Sequence, residues 1–381
     1  MHYINIRKDP DMTRNEYNYW LANINNIGKK KIKLLLQYFG NAEGVYNASA
    51  DELAAFRSEL CPAGLRFTQK DIKEIIDSKI PERILEGYTK LIQNGIYFVT
   101  KGDEHYPQKL HNIYDAPFAL YYKGRLPDKS QKAIAIVGAR DCSVYGREMA
   151  MYFARELAAK GIAVISGLAR GIDSYAHKGA LAADGISYAV LGCGIDICYP
   201  RENLGLYMDM QVRGGIISEY APGTVPIAGN FPMRNRIISG LADAILVVEA
   251  RQRSGSLITA DLGLEQGKDI FAIPGRTTDP LSAGCNNLIK MGAKLVAAPE
   301  DILEELMPDY KGGVQNDKKE NNFLELNEEI VYSSLCLEPK HIEEIAQVTG
   351  LPVPELAQIL FKLALRGLIR QTSKNYYIKQ L

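Results

Sequence analysis

The sequence predicts an α/β protein built on a doubly wound, Rossmann-like parallel sheet, flanked by a helical module before it and a small winged-helix module after it. Three observations carry this. From Ala133 onward, short β-branched runs alternate with stretches of helix length. The runs are apolar at nearly every position, the mark of strands buried on both faces of a sheet. And a Gly-, Asn- and charge-rich stretch near residue 311 separates a last segment with its own apolar pattern.

The runs are AIAIVG (133–138), IAVISG (162–167), ISYAVLG (186–192), GIISEY (215–220), DAILVVEA (243–250), DIFAIPG (269–275) and KLVAA (294–298). Alternation of such runs with helices defines a parallel sheet covered on both faces. Asp173 is placed to cap the helix SYAHKGALAAD, and Ser256 or Thr259 the helix LITADLGLEQG. Ahead of the sheet, NNIGKKKIKLLLQYFGNAEGVYNASADEL (25–53) has a glycine turn into an amphipathic helix closed by Gly40, as in a SAM-like or helix-hairpin-helix unit. Behind it, LNEEIVYSSL, HIEEIAQVTG and PVPELAQILFKLALRGLI predict three helices, and IRQTSKNYYIK a two-stranded wing. The expected domains are residues 1–95, 96–310 and 323–381, with a linker over 311–322.

Basic and acidic side chains balance at 45 each, so a general polyanion binder is not indicated and any anion site must be local. The polar start MHYINIRKDPDMTRNEY and the lack of a run of about 18 apolar residues predict a cytoplasmic protein, neither exported nor membrane-spanning. The six cysteines form no C-x-x-C pair and no cluster with histidine, which argues against a metal site and a disulfide framework.

Ligands of open α/β sheets bind beyond the carboxyl ends of the strands, and arginine is concentrated there. Arg140, Arg170 and Arg201 follow the first three strands, Arg234 and Arg236 the fourth, and Arg251 and Arg253 the fifth. In IVGARDCSVYG, Arg140 stands where a dinucleotide fold has its second glycine. Gly138, Gly167, Gly171, Gly192, Gly194 and Gly255 allow close backbone approach in the same loops, and Ser254-Gly255-Ser256 reads as a phosphate-cradling turn at a helix start. Such an arginine rim on a neutral chain fits a sugar-phosphate backbone. Tyr145, Tyr175, Tyr199 and Tyr220 either stack bases or cap the core. His177 is the histidine of these motifs, with no nucleophile elbow or metal spacing around it, and Asp173, Asp196, Glu219 and Glu249 are weighted toward helix caps and arginine partners over acid–base roles.

Taken in order, YPQKLHNIYDAPFALYYKG, IAIVGAR, ISGLARGIDSYAHKGAL, LGCGIDICYPREN, SEYAPGTVP, NFPMRNRIISGL, EARQRSGSLITA, GKDIFAIPG and GCNNLIKMGAKLV resemble the bacterial DNA-processing protein A family, DprA or Smf. The resemblance implies a protein without catalytic turnover or cofactor. It would bind and protect single-stranded DNA, accommodate single-strand-binding protein and load RecA recombinase during natural transformation, as a homodimer. The basic residues of the family's DNA pocket correspond to Arg140 and Arg201, and the DNA contacts expected here are Gly138, Arg140, Gly167, Arg170, Gly171, Arg201, Asn203, Arg234, Asn235, Arg236, Ser254, Gly255 and Ser256.

Two enzymatic or sensing alternatives stand beside it. A nucleotide phosphoribohydrolase on a related sheet would carry P-G-G-x-G-T-x-x-E at the fifth loop, where this chain reads RSGSLITA, and Glu265 would be its test residue. A nucleotide sensor would need one compact pocket. In the last module, Glu355, Lys362 and Arg366 on the expected recognition helix favour a protein contact or a weak duplex contact. Lys29, Lys30, Lys31 and Lys33 are open between a helix-hairpin-helix DNA contact and a solvated face.

Overall fold

The computed structural model describes residues 12–60, 66–310 and 324–380; the linker expected over 311–322 and Cys61 lie outside them. The described helices begin with α1 (Arg14–Ala22), α2 (Lys29–Phe39), α3 (Ala42–Asn47), α4 (Ala50–Leu60), α5 (Gln69–Asp77) and α6 (Pro81–Gln93). There follow β1 (Tyr97–Thr100), β2 (Ala119–Gly124), β3 (Ala133–Val137), α7 (Val144–Ala159), β4 (Ala163–Ser166), α8 (Ile172–Ala182) and β5 (Ser187–Leu191). Next come α9 (Leu204–Arg213), β6 (Gly214–Ser218), α10 (Asn230–Leu241), β7 (Ala244–Val247), α11 (Gly255–Glu265) and β8 (Asp269–Ala272). The α/β part ends with α12 (Ala283–Lys290), β9 (Lys294–Leu295) and α13 (Glu300–Leu306). The last elements are α14 (Leu326–Ser334), β10 (Lys340–His341), α15 (Ile342–Thr349), α16 (Val353–Leu365), β11 (Ile369–Ser373) and β12 (Tyr376–Lys379).

By packing, the chain divides into one unit of Met1–Ser130 with Tyr188–Leu241 and another of Gln131–Ser187 with Ala242–Leu381. The first unit holds the α1–α6 bundle, whose core gathers Trp20, Leu21, Leu35, Val45, Leu53, Phe56 and Ile75. Capping boxes at Thr13/Glu16 and Thr68/Asp71 satisfy the free N–H groups that open α1 and α5. Its strands run in the order β1-β2-β6-β5. β1 pairs antiparallel with β2, and β2 with β6, so the parallel sheet expected from sequence carries an antiparallel extension. The connection from β1 to β2 holds only a short 3₁₀ turn, Gln108–Asn112, and without a helix-length crossover two neighbouring strands pair antiparallel.

In the second unit the order is β4-β3-β7-β8-β9, every pair parallel. Each of the seven runs read from the sequence contains a strand. β3 has β4, the next strand in sequence, on one side and the later β7 on the other, so the winding reverses at its carboxyl end. Ile134, Ile136, Phe153, Leu157, Val164, Leu246 and Phe271 form the core there. The C-terminal part packs α14, α15 and α16 with the antiparallel ladder β10-β12-β11 around Val331, Ile345, Leu356, Leu360 and Leu363. Arg276 with Glu338 (2.9 Å) and Arg370 with Glu148 tie it to the α/β part of the same unit. Among the described residues no single helix is long and apolar enough to cross a membrane.

Candidate nucleic-acid interface

The loops after β3 and β4 meet backbone to backbone. Gly171 has φ +71°, and a Cβ on it would fall 2.3 Å from the carbonyl oxygens of both Ala139 and Arg140. Only glycine supplies that φ and that clearance together. Ile172 N–H then donates to the Ala139 carbonyl at 3.2 Å. The contact leaves Arg140 and Arg170 exposed on adjoining turns. Asp173, expected as a helix cap, lies inside the first turn of α8, where Gly171 is the cap residue. Its buried carboxylate instead accepts from the N–H groups of Gly167 (3.1 Å) and Ala169 (3.4 Å), and Ser174 Oγ donates to the Ala169 carbonyl at 2.5 Å. Gly167 is buried and shapes this loop from within.

The turn from β3 into α7 is where a dinucleotide fold holds its pyrophosphate. Here the chain's own carboxylate occupies the helix start. Glu249, 3% exposed, accepts from Ser143 N–H at 2.9 Å and from Ser143 Oγ at 2.5 Å. Ser143 is the N-cap of α7, and a Cβ on Gly146 would lie 2.3 Å from Glu249 Oε2. A resident anion against the positive end of the helix dipole takes the place of a ligand phosphate. Burial beside this carboxylate pushes the Cys142 thiol up to about 11, and burial pushes Cys285 up to about 12, so neither is a nucleophile at neutral pH.

After β7, Arg251, Gln252 and Arg253 are exposed. The cap of α11 is Ser254, ahead of the expected Ser256 or Thr259, and its Oγ accepts from Ser256 N–H at 3.4 Å. The hydroxyls of Ser254 and the buried Ser256 lie 2.7 Å apart. Gly255 is exposed, with nothing within 4 Å of where its Cβ would stand, so this turn is open to an approaching phosphate. Glu265 is at the far end of the helix, about 15 Å from Gly255, so it cannot act as a base at this loop.

In the other unit, Arg201 follows β5 and is exposed, and the exposed Tyr199 packs on Phe231 with ring centroids 5.6 Å apart. Asn203 is buried. Arg234 and Arg236 correct the expectation of a seven-arginine rim: they are 4% and 5% exposed, on the inner face of α10. Arg234 donates to the Val190 carbonyl and, through Nε, to Asn235 Oδ1 at 3.2 Å. Arg236 forks onto Glu219 at 2.7 and 2.9 Å and reaches Asp115 at 3.2 Å, while Lys29 of α2 joins the same Glu219. Burial opposes the Arg236 charge, but Glu219 and Asp115 outweigh it and hold its pKa above the ordinary value. Burial lowers Lys29 below the usual lysine range despite Glu219. Five of the seven arginines, Arg140, Arg170, Arg201, Arg251 and Arg253, therefore face solvent.

Other open readings resolve in the same way. Lys31 pairs with Asp71 at 2.6 Å, so of the lysine run Lys30 and Lys33 are the exposed members. Asp196 accepts from Gly223 N–H at 2.8 Å, a loop brace. Tyr145, Tyr175 and Tyr220 are half-buried, whereas Tyr199 presents its ring to solvent.

The family model for DNA recombination-mediator protein A matches residues 97–307, which include every strand-end loop described above. The chain belongs to the DNA recombination-mediator protein A family. Protein Smf of Escherichia coli is 40% identical over 294 residues, 75% of this chain and 78% of that protein. DNA processing protein DprA of Streptococcus pneumoniae is 45% identical over 203 residues, 53% of this chain and 72% of that one. The X-ray structure of DprA from Streptococcus pneumoniae superposes with a TM-score of 0.66 at 35% identity, covering 77% of this chain and 98% of that one. A structure of DNA processing protein A from Helicobacter pylori, described for its single-stranded DNA binding mode, gives 0.50 at 30% identity over 56% and 97% of the two chains.

The match to the recombination-mediator family stops before α14. In that last part Lys362 of α16 and Arg366, which caps its C-terminus, both turn to the buried Glu328, at 3.8 and 2.9 Å, and the exposed Phe361 and Leu365 stand one helical turn apart. A helix whose cations are paired with a buried acid and whose exposed face includes Phe361 and Leu365 is poorly made for a phosphate backbone.

Proposed function

We propose that this protein binds single-stranded DNA without strong sequence preference, protects it and hands it to RecA recombinase, with no catalytic turnover. The observation that carries the reading is the set of five exposed arginines on braced loops at strand carboxyl ends, in a chain of zero net charge. Arg140 and Arg170 on their joined turns, Arg251 and Arg253 ahead of the Ser254-Gly255-Ser256 turn, and Arg201 beside Tyr199 are the proposed phosphate contacts. Gly138, Gly167 and Gly171 shape the loops that bear Arg140 and Arg170, and Asn203 sits two residues after Arg201, whereas Asn235 lies on α10 and accepts from the buried Arg234. The family description supports a recombination role, and the Helicobacter pylori relative supports a single strand as ligand. Homodimerisation, through the α/β part, belongs to the same proposal.

The finer fold reading goes with it. The reversal at β3 supports a doubly wound, Rossmann-like domain over 96–310, the α1–α6 bundle a SAM-like or helix-hairpin-helix domain over 1–95, and α14–α16 with β10–β12 a winged helix over 323–381. With its apolar α16 face, that last domain is proposed to contact protein.

A gel-shift series on single-stranded and duplex oligonucleotides at several salt concentrations tests the function. Roughly three to five phosphate contacts per subunit give a slope of about −0.7 per contact in log K against log salt, with single strands preferred. Flat salt dependence or a duplex preference overturns the reading.

A further inference from the structure

Arg140 lies on a five-residue loop, Ala139 to Ser143, and one residue just past the end of β7, Glu249, holds both ends of it. The Glu249 carbonyl accepts from Ala139 N–H at 2.7 Å, and its carboxylate accepts from both the N–H and the hydroxyl of Ser143. The close approach of Gly171 presses on the middle of the loop at the Arg140 carbonyl. Glu249 also begins the second arginine loop. Directly after it, Ala250 N–H donates to the Leu281 carbonyl at 2.7 Å and the Ala250 carbonyl accepts from Gly284 N–H at 2.8 Å, so the chain leading to Arg251 and Arg253 is held too.

From this geometry we infer that Glu249 is the positioning residue for Arg140, setting the loop after β3 against the loop after β7 so that their arginines meet successive phosphates. Loops of this length are mobile unless their backbone groups are fixed, and an arginine on a mobile loop loses side-chain and backbone freedom on every binding event. A buried carboxylate with two donors on one residue removes much of that loss beforehand. The same carboxylate fills the phosphate position at the start of α7, so Arg140 serves a chain passing outside the turn and not a nucleotide inside it. This inference rests on the single-stranded DNA reading of Arg140.

The test measures oligo-dT affinity by fluorescence anisotropy for the native protein, Arg140→Ala, Glu249→Ala, Glu249→Gln and the double variant Arg140→Ala/Glu249→Ala. Glu249→Ala is expected to weaken binding about tenfold, approaching the loss of Arg140→Ala. The double variant is then expected within about twofold of Arg140→Ala alone, because the two residues act as one. Glu249→Gln recovers most of the affinity, since its amide can accept from Ser143 N–H and donate to Ser143 Oγ. Where Arg140→Ala itself weakens binding, losses that add, or a folded Glu249→Ala with native affinity, overturn the inference. If Glu249→Ala does not unfold cooperatively, Glu249→Asp, one methylene too short to keep both contacts, carries the same comparison. Hydrogen exchange over residues 139–146 separates failure of this inference from failure of the DNA reading. Faster exchange in Glu249→Ala, reversed in Glu249→Gln, upholds the positioning role even where Arg140→Ala binds normally; unchanged exchange overturns it.

Discussion

The loop after β3 and the first turns of α10 both present arginine beyond a strand, and they use it in opposite ways. Arg140 is exposed on a loop that Glu249 and Ile172 brace through Ala139 and Ser143. Arg236 is buried on a helix, forked onto Glu219, with Lys29 and Asp115 completing the group. The difference lies in the carboxylates. After β3 the nearby acid, Glu249, bonds backbone and hydroxyl groups of the loop, while after β6 the acid, Glu219, bonds guanidinium and ammonium. Where the acid is engaged with loop donors it braces the loop, and the arginine there stays exposed. An acid engaged with the arginine draws it into the fold.

The largest expected effect breaks the internal group. Glu219→Ala leaves Arg236 and Lys29 without their shared anion and is expected to lower stability by about 3–5 kcal/mol in urea unfolding, the range for stripping one partner from a buried pair. Arg236→Ala is expected to destabilise while leaving the DNA affinity of the folded protein unchanged. If it keeps native stability and loses DNA binding instead, the contrast between the two regions collapses and Arg236 returns to the contact set.

Next come the exposed loops. Arg140→Ala and Arg170→Ala are each expected to remove a charge-assisted contact of about 1.5–3 kcal/mol in single-strand affinity, and to shift the melting temperature by no more than about 2 °C. A lowered melting temperature with unchanged affinity shows that a loop arginine braces the fold after all. The smallest effects are expected where cations are engaged or peripheral. Lys30→Ala with Lys33→Ala, and separately Phe361→Ser, are each expected to change single-strand affinity by less than about 0.5 kcal/mol. A larger loss from the lysine pair revives the helix-hairpin-helix contact, and one from Phe361→Ser gives α16 a role in DNA binding.

Much of this was legible in the chain. The seven strands, the three C-terminal helices and the clustering of arginine after strands follow from local periodicity and composition, which need only a few neighbouring residues to state; the last strand, β9, departs from the expected burial, since Lys294 and Leu295 are both exposed. The antiparallel pair β1–β2 was not, because YFVT and ALYYKG are short and aromatic, and their pairing depends on the absence of a crossover between them. Nor was the helix cap at Ser254, where three hydroxyl residues compete within six positions.

The sequence by itself determined that arginines and glycines gather at strand ends, since which residue follows a strand is a matter of order along the chain. Which arginines reach solvent was decided only by tertiary structure. Burial of a guanidinium depends on whether acceptors distant in sequence arrive in register with it, as Glu219 and Asp115 do for Arg236 and the Val190 carbonyl does for Arg234, while the Glu249 carboxylate meets Ser143. Removing a charge from water is costly enough that it happens only where such a partner is already in place.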